Sequence, residues 1–143
     1  MRDYGWELST AIVLFHEAIA RRLGLNAAEH KALGLIVRSG PLPTGTLAPE
    51  LGVGATAVTA IVDRLVRAGY VRREPDPTDR RRVLLVADQS RAPDLSGIFA
   101  DLGREMNAFM AGYDEHEMAA IVDYLENTIR VLKAQTAKLA EQP

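Results

Sequence analysis

The chain has 143 residues, of which 48% are hydrophobic and 25% are charged, and this composition is typical of one soluble globular domain. It contains no cysteine, which excludes a disulfide framework, a cysteine-based zinc site and a thiol redox switch. No apolar run approaches the roughly 20 residues of a membrane span. The first residues also lack the basic-then-apolar pattern of a signal peptide, so we expect a cytoplasmic protein without membrane contact.

The net charge of −2 is divided unevenly along the chain. Residues 64 to 91 carry eight basic and four acidic side chains, whereas residues 92 to 143 carry four basic and nine acidic ones. Because a DNA-binding surface needs clustered positive charge facing phosphate, this pattern predicts such a surface in the middle of the chain. DNA would repel the acidic C-terminal third.

Residues 1 to 38 are predicted to form two helices. Apolar residues recur every three or four positions in the first helix: Leu8, Ile12, Phe15, Ile19 and Leu23. Asn26 and Glu29 then have the spacing of a capping box, in which two residues satisfy each other's free main-chain N–H groups. The second helix therefore begins after Asn26, and it is expected to end near Gly40.

Residues 41 to 87 are predicted to contain two more helices and a β-hairpin. Thr44 or Thr46 can cap the short third helix, and we favour Thr46 because Pro49 then falls in the first turn, where a missing N–H is harmless. The fourth helix has apolar residues at helical spacing: Val58, Ile61, Val62, Leu65 and Val66. Its other faces remain available to a partner.

Gly69 stands where a helix commonly ends in the left-handed conformation. Two short β-type runs follow, the first beginning at Tyr70 and Val71, and a Pro/Asp-rich turn separates them. Three consecutive arginines, residues 80 to 82, are thereby placed at the end of a stiff ribbon. Two helices followed by such a hairpin have the order of a winged helix-turn-helix.

Residues 88 to 143 are predicted to form two long amphipathic helices. The first begins at Asp88 or Ser90, and Asp114 with Glu117 forms a second capping box at the start of the last helix. Their apolar stripes need more partner surface than a small winged unit offers, which predicts a homodimer. We expect one domain, residues 1 to 143, in which the parts 1–38 and 88–143 are helical dimerisation parts.

The segment from Asp63 to Val86, DRLVRAGYVRREPDPTDRRRVLLV, resembles the recognition helix and wing of the MarR family of transcriptional regulators. The family's wing carries an Asp-x-Arg motif, matched here by Asp79, Arg80 and Arg81. The resemblance implies a mainly α fold with a small β-wing, in which helical dimerisation parts flank the winged helix-turn-helix. It also implies a ligand-responsive repressor that binds a pseudo-palindromic duplex.

The resemblance assigns DNA contacts to the third helix, the recognition helix and the wing. The candidate residues are Thr44, Thr56, Thr59, Arg64, Arg67, Arg80, Arg81 and Arg82. Thr56 and Thr59 either contact base edges or are simply exposed to solvent. Arg64 and Arg67 are expected to bind phosphate. Arg81 is expected to enter the minor groove, and Asp79 to orient the wing.

Many family members have an arginine where this chain has Ala60, and that arginine commonly reads bases. Its absence leaves more of the recognition to DNA shape and to the threonines. An alternative hypothesis is a winged-helix dimer that binds another protein and has no DNA readout. The concentration of positive charge on the wing argues against that alternative.

The family resemblance also places a ligand site for an aromatic acid between the first helices and the start of the fifth. The candidate residues for a small aromatic or anionic effector are Trp6, Phe15, His16, His30 and Phe99, although each aromatic residue also fits plain core packing. No histidine pairs with a glutamate at metal-ligand spacing, so we expect no metal and no cofactor. The chain has no nucleotide-binding glycine loop or nucleophile motif, which indicates that it is not an enzyme.

Overall fold

A computed structural model describes residues 1 to 141 and, for residues 92 to 95, the backbone alone. Within that range the helices are α1 Tyr4–Leu23, α2 Ala27–Ser39, α3 Leu47–Leu51, α4 Ala55–Arg67, α5 Ala92–Met110 and α6 Glu115–Glu141. The strands are β1 Leu42–Pro43, β2 Val71–Pro75 and β3 Val83–Ala87. The chain divides into two compact units, one ending at Ile98 and the other beginning at Phe99. The organisation as a single domain remains a prediction.

The predicted capping box at the start of α2 is confirmed. The main-chain N–H of Glu29 donates to Asn26 Oδ1 at 2.8 Å, and that of Asn26 donates to Glu29 Oε2 at 3.0 Å. Two of the four N–H groups that a helix start leaves without an internal partner are satisfied in this way. The second capping box is confirmed as well, since Asp114 and Glu117 exchange the same pair of bonds at 2.8 and 2.9 Å.

Proline and glycine set the limits of the two helices of the helix-turn-helix. A single 3-10 turn, Thr44–Thr46, precedes α3, so that Pro49 lies in the first turn of α3 as predicted. The Thr46 side chain forms no capping hydrogen bond there. Helix α4 is followed by Gly69 at a φ of +82°, which confirms the left-handed position expected from the sequence.

The sheet has three strands rather than the two that the sequence predicts. Its order is β1-β3-β2, and all pairs are antiparallel. The additional strand β1 lies directly before the 3-10 turn and pairs Leu42 with Leu85. A two-residue strand is too short to show the alternation by which strands are recognised in a sequence. In the hairpin itself Val71 faces Ala87 and Pro75 faces Val83, so residues 76 to 82 form the tip.

One hydrophobic cluster holds the first unit together. Its most deeply buried members come from α2, α3, α4 and the sheet: Leu33, Ile36, Leu47, Val62, Leu65, Val71 and Leu85. Burial of each such side chain contributes roughly 1.5–3 kcal/mol. The buried Tyr70 hydroxyl also donates to the main-chain oxygen of Leu23 at 2.9 Å and so ties the wing to the end of α1. The core therefore fixes α4 and the wing as one body.

The second unit begins at Phe99, within α5, and contains the rest of that helix and α6. The predicted start of α5 at Asp88 or Ser90 is wrong by a few residues. The Asp88 carboxylate accepts bonds from Ser90 N and Oγ at 2.9 and 2.7 Å, which stabilises a 3-10 turn over Gln89–Arg91 before the helix begins. None of the residues described in α6 is buried.

Over residues 1 to 141 no single helix is long and apolar enough to cross a membrane. The pair Thr44–Leu51 and Ala55–Arg67 reaches the necessary length and composition only when the two pieces, which meet at 114°, are counted together.

Candidate nucleic-acid interface

Helix α4 presents a distinct outward face. Its buried residues Val58, Ile61, Val62 and Leu65 occupy one side of the helix. At 100° per residue, the opposite side carries the side chains of Thr56, Ala60, Asp63 and Arg67, with Thr59 beside them. On this face, the side chains of the first two turns are short and uncharged, and the charged side chains lie in the last two turns. The structure thus brings three of the predicted DNA-contacting residues, Thr56, Thr59 and Arg67, to one exposed surface.

Arg64 occupies a different position from the one expected of a simple phosphate ligand. Its Nε lies 2.6 Å from Oε1 of Glu29, whose side chain is only 1% exposed, while the Arg64 side chain itself is 58% exposed. The amide of Asn26 donates to the same carboxylate oxygen at 3.0 Å. The pair connects the start of α2 to the third turn of α4. Arg64 therefore positions the recognition helix, and its role as a phosphate ligand remains a prediction for its outer N–H groups.

A second ion pair connects α4 to the wing. Arg73 on β2 binds the carboxylate of Asp63, and both side chains are partly exposed. Asp63 and Arg64 are neighbours in sequence and lie about 100° apart around the helix, so the two ion pairs hold α4 at two different positions on its circumference. The capping role of Glu29 was predictable from the sequence, but its ion pair with Arg64 and that between Asp63 and Arg73 were not predicted. Asp63 and Arg73 are only ten residues apart, whereas Glu29 and Arg64 are brought together by the fold alone.

Hydrogen bonds between residues 76 and 82 close the wing tip. The main-chain N–H of Arg81 donates to Oδ1 of Asp79 at 3.0 Å, and that of Arg82 donates to the main-chain oxygen of Asp79 at 3.1 Å. Asp79 thus orders the turn through the main chain of the arginines. The side chains of Arg80, Arg81 and Arg82 are exposed and form no ion pair in the described part of the chain. Together they make the tip positively charged.

Asp76 is a second carboxylate that organises the tip, a role that was not predicted from the sequence. Its side chain is 9% exposed, and Oδ1 accepts bonds from both N and Oγ1 of Thr78 at 2.8 Å. These bonds hold the pKa of the Asp76 carboxyl below its usual value, so that the group is ionised at neutral pH. The Asp-Pro-Thr order is a recognised local turn pattern and could have indicated this role.

Thr44 lies at the start of the 3-10 turn and is partly buried. A cavity of about 180 Å³ lies nearby, lined by Leu35, Ser39, Leu42, Thr46, Leu47 and Glu50. None of the candidate effector residues lines this cavity.

Three of the candidate effector residues are linked by ring contacts in the first unit. The ring centroids of Phe15 and His16 lie 6.3 Å apart, and those of His16 and His30 lie 5.6 Å apart at a steep angle. His30 is buried, and its Nδ1 has no hydrogen-bond partner among the described residues. Burial lowers the pKa of His30, and nearby His16 and Lys31 lower it further, so its imidazole is neutral at pH 7.

The other two effector candidates are placed differently. Trp6 is 68% exposed and takes no part in the ring contacts, and Phe99, which is 37% exposed, begins the second unit. Among the described residues no three histidine or acidic side chains are grouped closely enough to hold a metal ion.

This geometry can be compared with known proteins. A model of the MarR family matches residues 23 to 82, which extend from the end of α1 to the wing tip. The uncharacterized HTH-type transcriptional regulator YcgE of Bacillus subtilis (strain 168) is 33% identical over 135 residues, covering 94% of this chain and 88% of its own length. The chain belongs to the MarR family. It is a DNA-binding transcriptional regulator.

Solved structures agree with this assignment. The transcriptional regulator Tm0710 from Thermotoga maritima is 26% identical and superimposes with a TM-score of 0.61, covering 92% of both chains. A MarR protein from Peptoclostridium difficile shares the fold at 20% identity, with a TM-score of 0.68 over 93% of this chain and 87% of its own. YcgE and Tm0710 are both described as transcriptional regulators, and neither supports the alternative of a protein-interaction module without DNA readout.

Replacing Arg64 by alanine is expected to lower the free energy of unfolding by about 1.5–3 kcal/mol, because the buried Glu29 loses a charged hydrogen bond. The double variant Glu29→Gln/Arg64→Ala should recover much of this loss, since no charge then remains buried without a partner. Arg67→Ala is the matched control and should change stability by less than about 0.5 kcal/mol. Urea denaturation measures the free energy of unfolding of all three variants. Unchanged stability in Arg64→Ala together with weaker, less salt-dependent DNA binding would contradict the positioning role.

Asp76→Ala is expected to loosen the wing tip and weaken DNA binding, whereas Asp76→Asn, which keeps an oxygen acceptor for Thr78, should bind almost normally. Hydrogen exchange of the Thr78 amide and DNA titration provide the measurements. Because the folded-state pKa is lowered, the contribution of the carboxylate is fully present above about pH 4 and is lost as the pH falls through the lower, folded value. Equal protection of the Thr78 amide in the wild type and in Asp76→Ala would show that this carboxylate does not order the tip.

Proposed function

We propose that this MarR-family regulator is a cytoplasmic homodimeric repressor. It binds a pseudo-palindromic operator through two recognition helices and two wings and represses by occluding a promoter. A small aromatic or anionic effector releases it by changing the spacing between the two winged units. The observation that carries the proposal is the cluster of exposed arginines at residues 80 to 82, which form no ion pair within the described residues, beside the outward face of the recognition helix.

The dimer is supported by apolar surface that the chain leaves uncovered. Large exposed apolar side chains of α6 are Val122, Tyr124, Leu125, Ile129, Val131, Leu132 and Leu139. Helix α1 also exposes large apolar side chains, including Trp6, Leu8 and Ile12. Large exposed apolar patches are uncommon on soluble monomers, so these residues support a second copy of the chain as the partner. In a two-fold dimer, the recognition helices would enter the major groove about one helical turn, roughly 34 Å, apart.

The effector part of the proposal is supported by the ring contacts that join His16 and His30. A carboxylate could accept a hydrogen bond from an imidazole, and an aromatic body could pack on Phe15. The orphaned Nδ1 of His30 is a polar atom without a partner in the described structure, and such atoms are uncommon in folded proteins.

The double variant Arg80→Ala/Arg81→Ala is expected to bind the operator weakly. The slope of log affinity against log salt should flatten by about 0.9 for each phosphate that the wing no longer neutralises. Operators would first be selected from a random duplex library with the wild-type protein and then titrated by fluorescence anisotropy at several salt concentrations. Arg130→Ala/Lys133→Ala, which removes the same charge from α6, is the control and should bind normally.

Sedimentation of the complex should find two chains on each duplex. A single chain on each duplex would overturn the dimeric part of the proposal. Equal affinity and salt slope for the wing variant and the wild type would remove the wing from the interface.

Benzoate-sized aromatic acids are expected to release the operator in the same titration. His16→Ala should abolish that response while leaving the affinity of the free protein for DNA unchanged, and His116→Ala on α6 is the matched histidine control. Fluorescence of Trp6, the single tryptophan of the chain, reports acid binding independently. An acid response that survives unchanged in His16→Ala would place the effector elsewhere.

A further inference from the structure

The first two turns of the recognition helix α4 contain no side chain that can form a bidentate hydrogen bond with a base. Residues 55 to 62 read Ala-Thr-Ala-Val-Thr-Ala-Ile-Val, and the first charged residue is Asp63. Guanine is usually read by arginine or lysine and adenine by asparagine or glutamine, and α4 has none of these before Arg64. In helix-turn-helix proteins it is this N-terminal part of the recognition helix that meets the base edges.

The hydroxyl of Thr59 already forms a hydrogen bond within the helix. Thr59 Oγ1 donates to the main-chain oxygen of Ala55 at 3.1 Å, so its hydrogen is used inside the helix. The other heavy atom on its Cβ is the methyl carbon, and Thr59 is exposed. Thr56 and Ala60 are exposed as well, and each carries a methyl group. The outward face of these two turns is therefore largely a surface of methyl groups.

We propose that this surface recognises the C5-methyl groups of thymines in the major groove, through the methyl groups of Thr56, Thr59 and Ala60. Among the four bases, only thymine presents a methyl group there, and alanine and threonine methyls are suited to contact it. Readout of the operator half-site by α4 is thus apolar. It distinguishes T·A from A·T because the thymine methyl group lies on the opposite strand in the two base pairs. This inference rests on the DNA-binding function and specifies what that function reads.

The surroundings of α4 suit contacts of this short range. Small side chains let the helix approach the base edges closely, and Gly54 at its start adds no side chain that would hold it away. The ion pairs of Arg64 with Glu29 and of Asp63 with Arg73 hold the helix at two different positions on its circumference. A methyl contact gains little free energy if the helix can shift, so this rigidity supports specificity.

The first step of the test is selection of duplexes from a random library with the full-length wild-type protein. The enriched half-site should contain thymines facing the recognition helix. Each thymine is then replaced by deoxyuridine, which removes one methyl group and leaves the hydrogen-bonding edge unchanged. Affinity should fall about fourfold for each contacted methyl group, while deoxyuridine outside the half-sites should have no effect.

The second step assigns the contact to residues. Thr59→Ser and Thr56→Ser keep the hydroxyl but lose the methyl group. Each should weaken binding to the thymine duplex about fourfold and cancel the effect of deoxyuridine at the base that it contacts. Thr136→Ser on α6 is the matched control, because the hydroxyl of Thr136 also donates to a main-chain oxygen four residues earlier, that of Leu132 at 2.8 Å. It should bind both duplexes as the wild type does.

The outcomes separate this inference from the function on which it rests. If no sequence is enriched, sequence-specific DNA binding fails and the inference fails with it. An enriched operator that tolerates deoxyuridine at every position would leave the function intact and overturn the thymine readout. A deoxyuridine effect that persists in full in both serine variants would also overturn the proposal, because the methyl groups of Thr56 and Thr59 would then not make the contact.

Discussion

The placement of the recognition helix depends on the ion pair between Glu29 and Arg64. Glu29 caps α2 through Asn26 and at the same time binds Arg64, so one buried carboxylate serves both helices. Removing the Glu29 carboxylate from water offsets much of its attraction to the more exposed Arg64, and such a pair therefore adds little net stability. Its role is geometric, because Arg64 of α4 and the side-chain amide of Asn26 at the start of α2 meet at the same buried oxygen of Glu29. Within the first unit, this contact acts together with the hydrophobic core to set how α4 and the wing are presented.

Among the eight arginines of residues 64 to 91, six fall into two electrostatic groups. Arg64, Arg72 and Arg73 form ion pairs with acidic neighbours and stabilise the winged unit. The three arginines at residues 80 to 82 have no such partner in the described structure and form the positive wing tip. The net charge of this segment thus overstates the number of side chains available to phosphate. Recognition then combines a charged wing, which supplies salt-dependent affinity, with a recognition helix whose first turns are almost neutral.

Much of this architecture was predictable because its causes are local. The capping boxes, the left-handed glycine after α4 and the helical periodicity each depend on residues within one or two turns of one another, and the structure confirms them. The winged helix-turn-helix and the MarR resemblance followed from the order of these elements. The effector candidates were harder to predict. The structure joins only Phe15, His16 and His30 by ring contacts, because periodicity identifies an apolar face without identifying its neighbour.

The sequence by itself determined the helices, their caps, the hairpin and the separation of positive from negative charge, since each is set by short-range sterics and by composition. Only the tertiary structure decided that Glu29 meets Arg64, that Leu42 adds a third strand opposite Leu85, and that Tyr70 bonds to Leu23. Each of these contacts joins residues more than 30 positions apart. No local pattern encodes such a pairing, because it exists only after the hydrophobic core has brought the separate elements together.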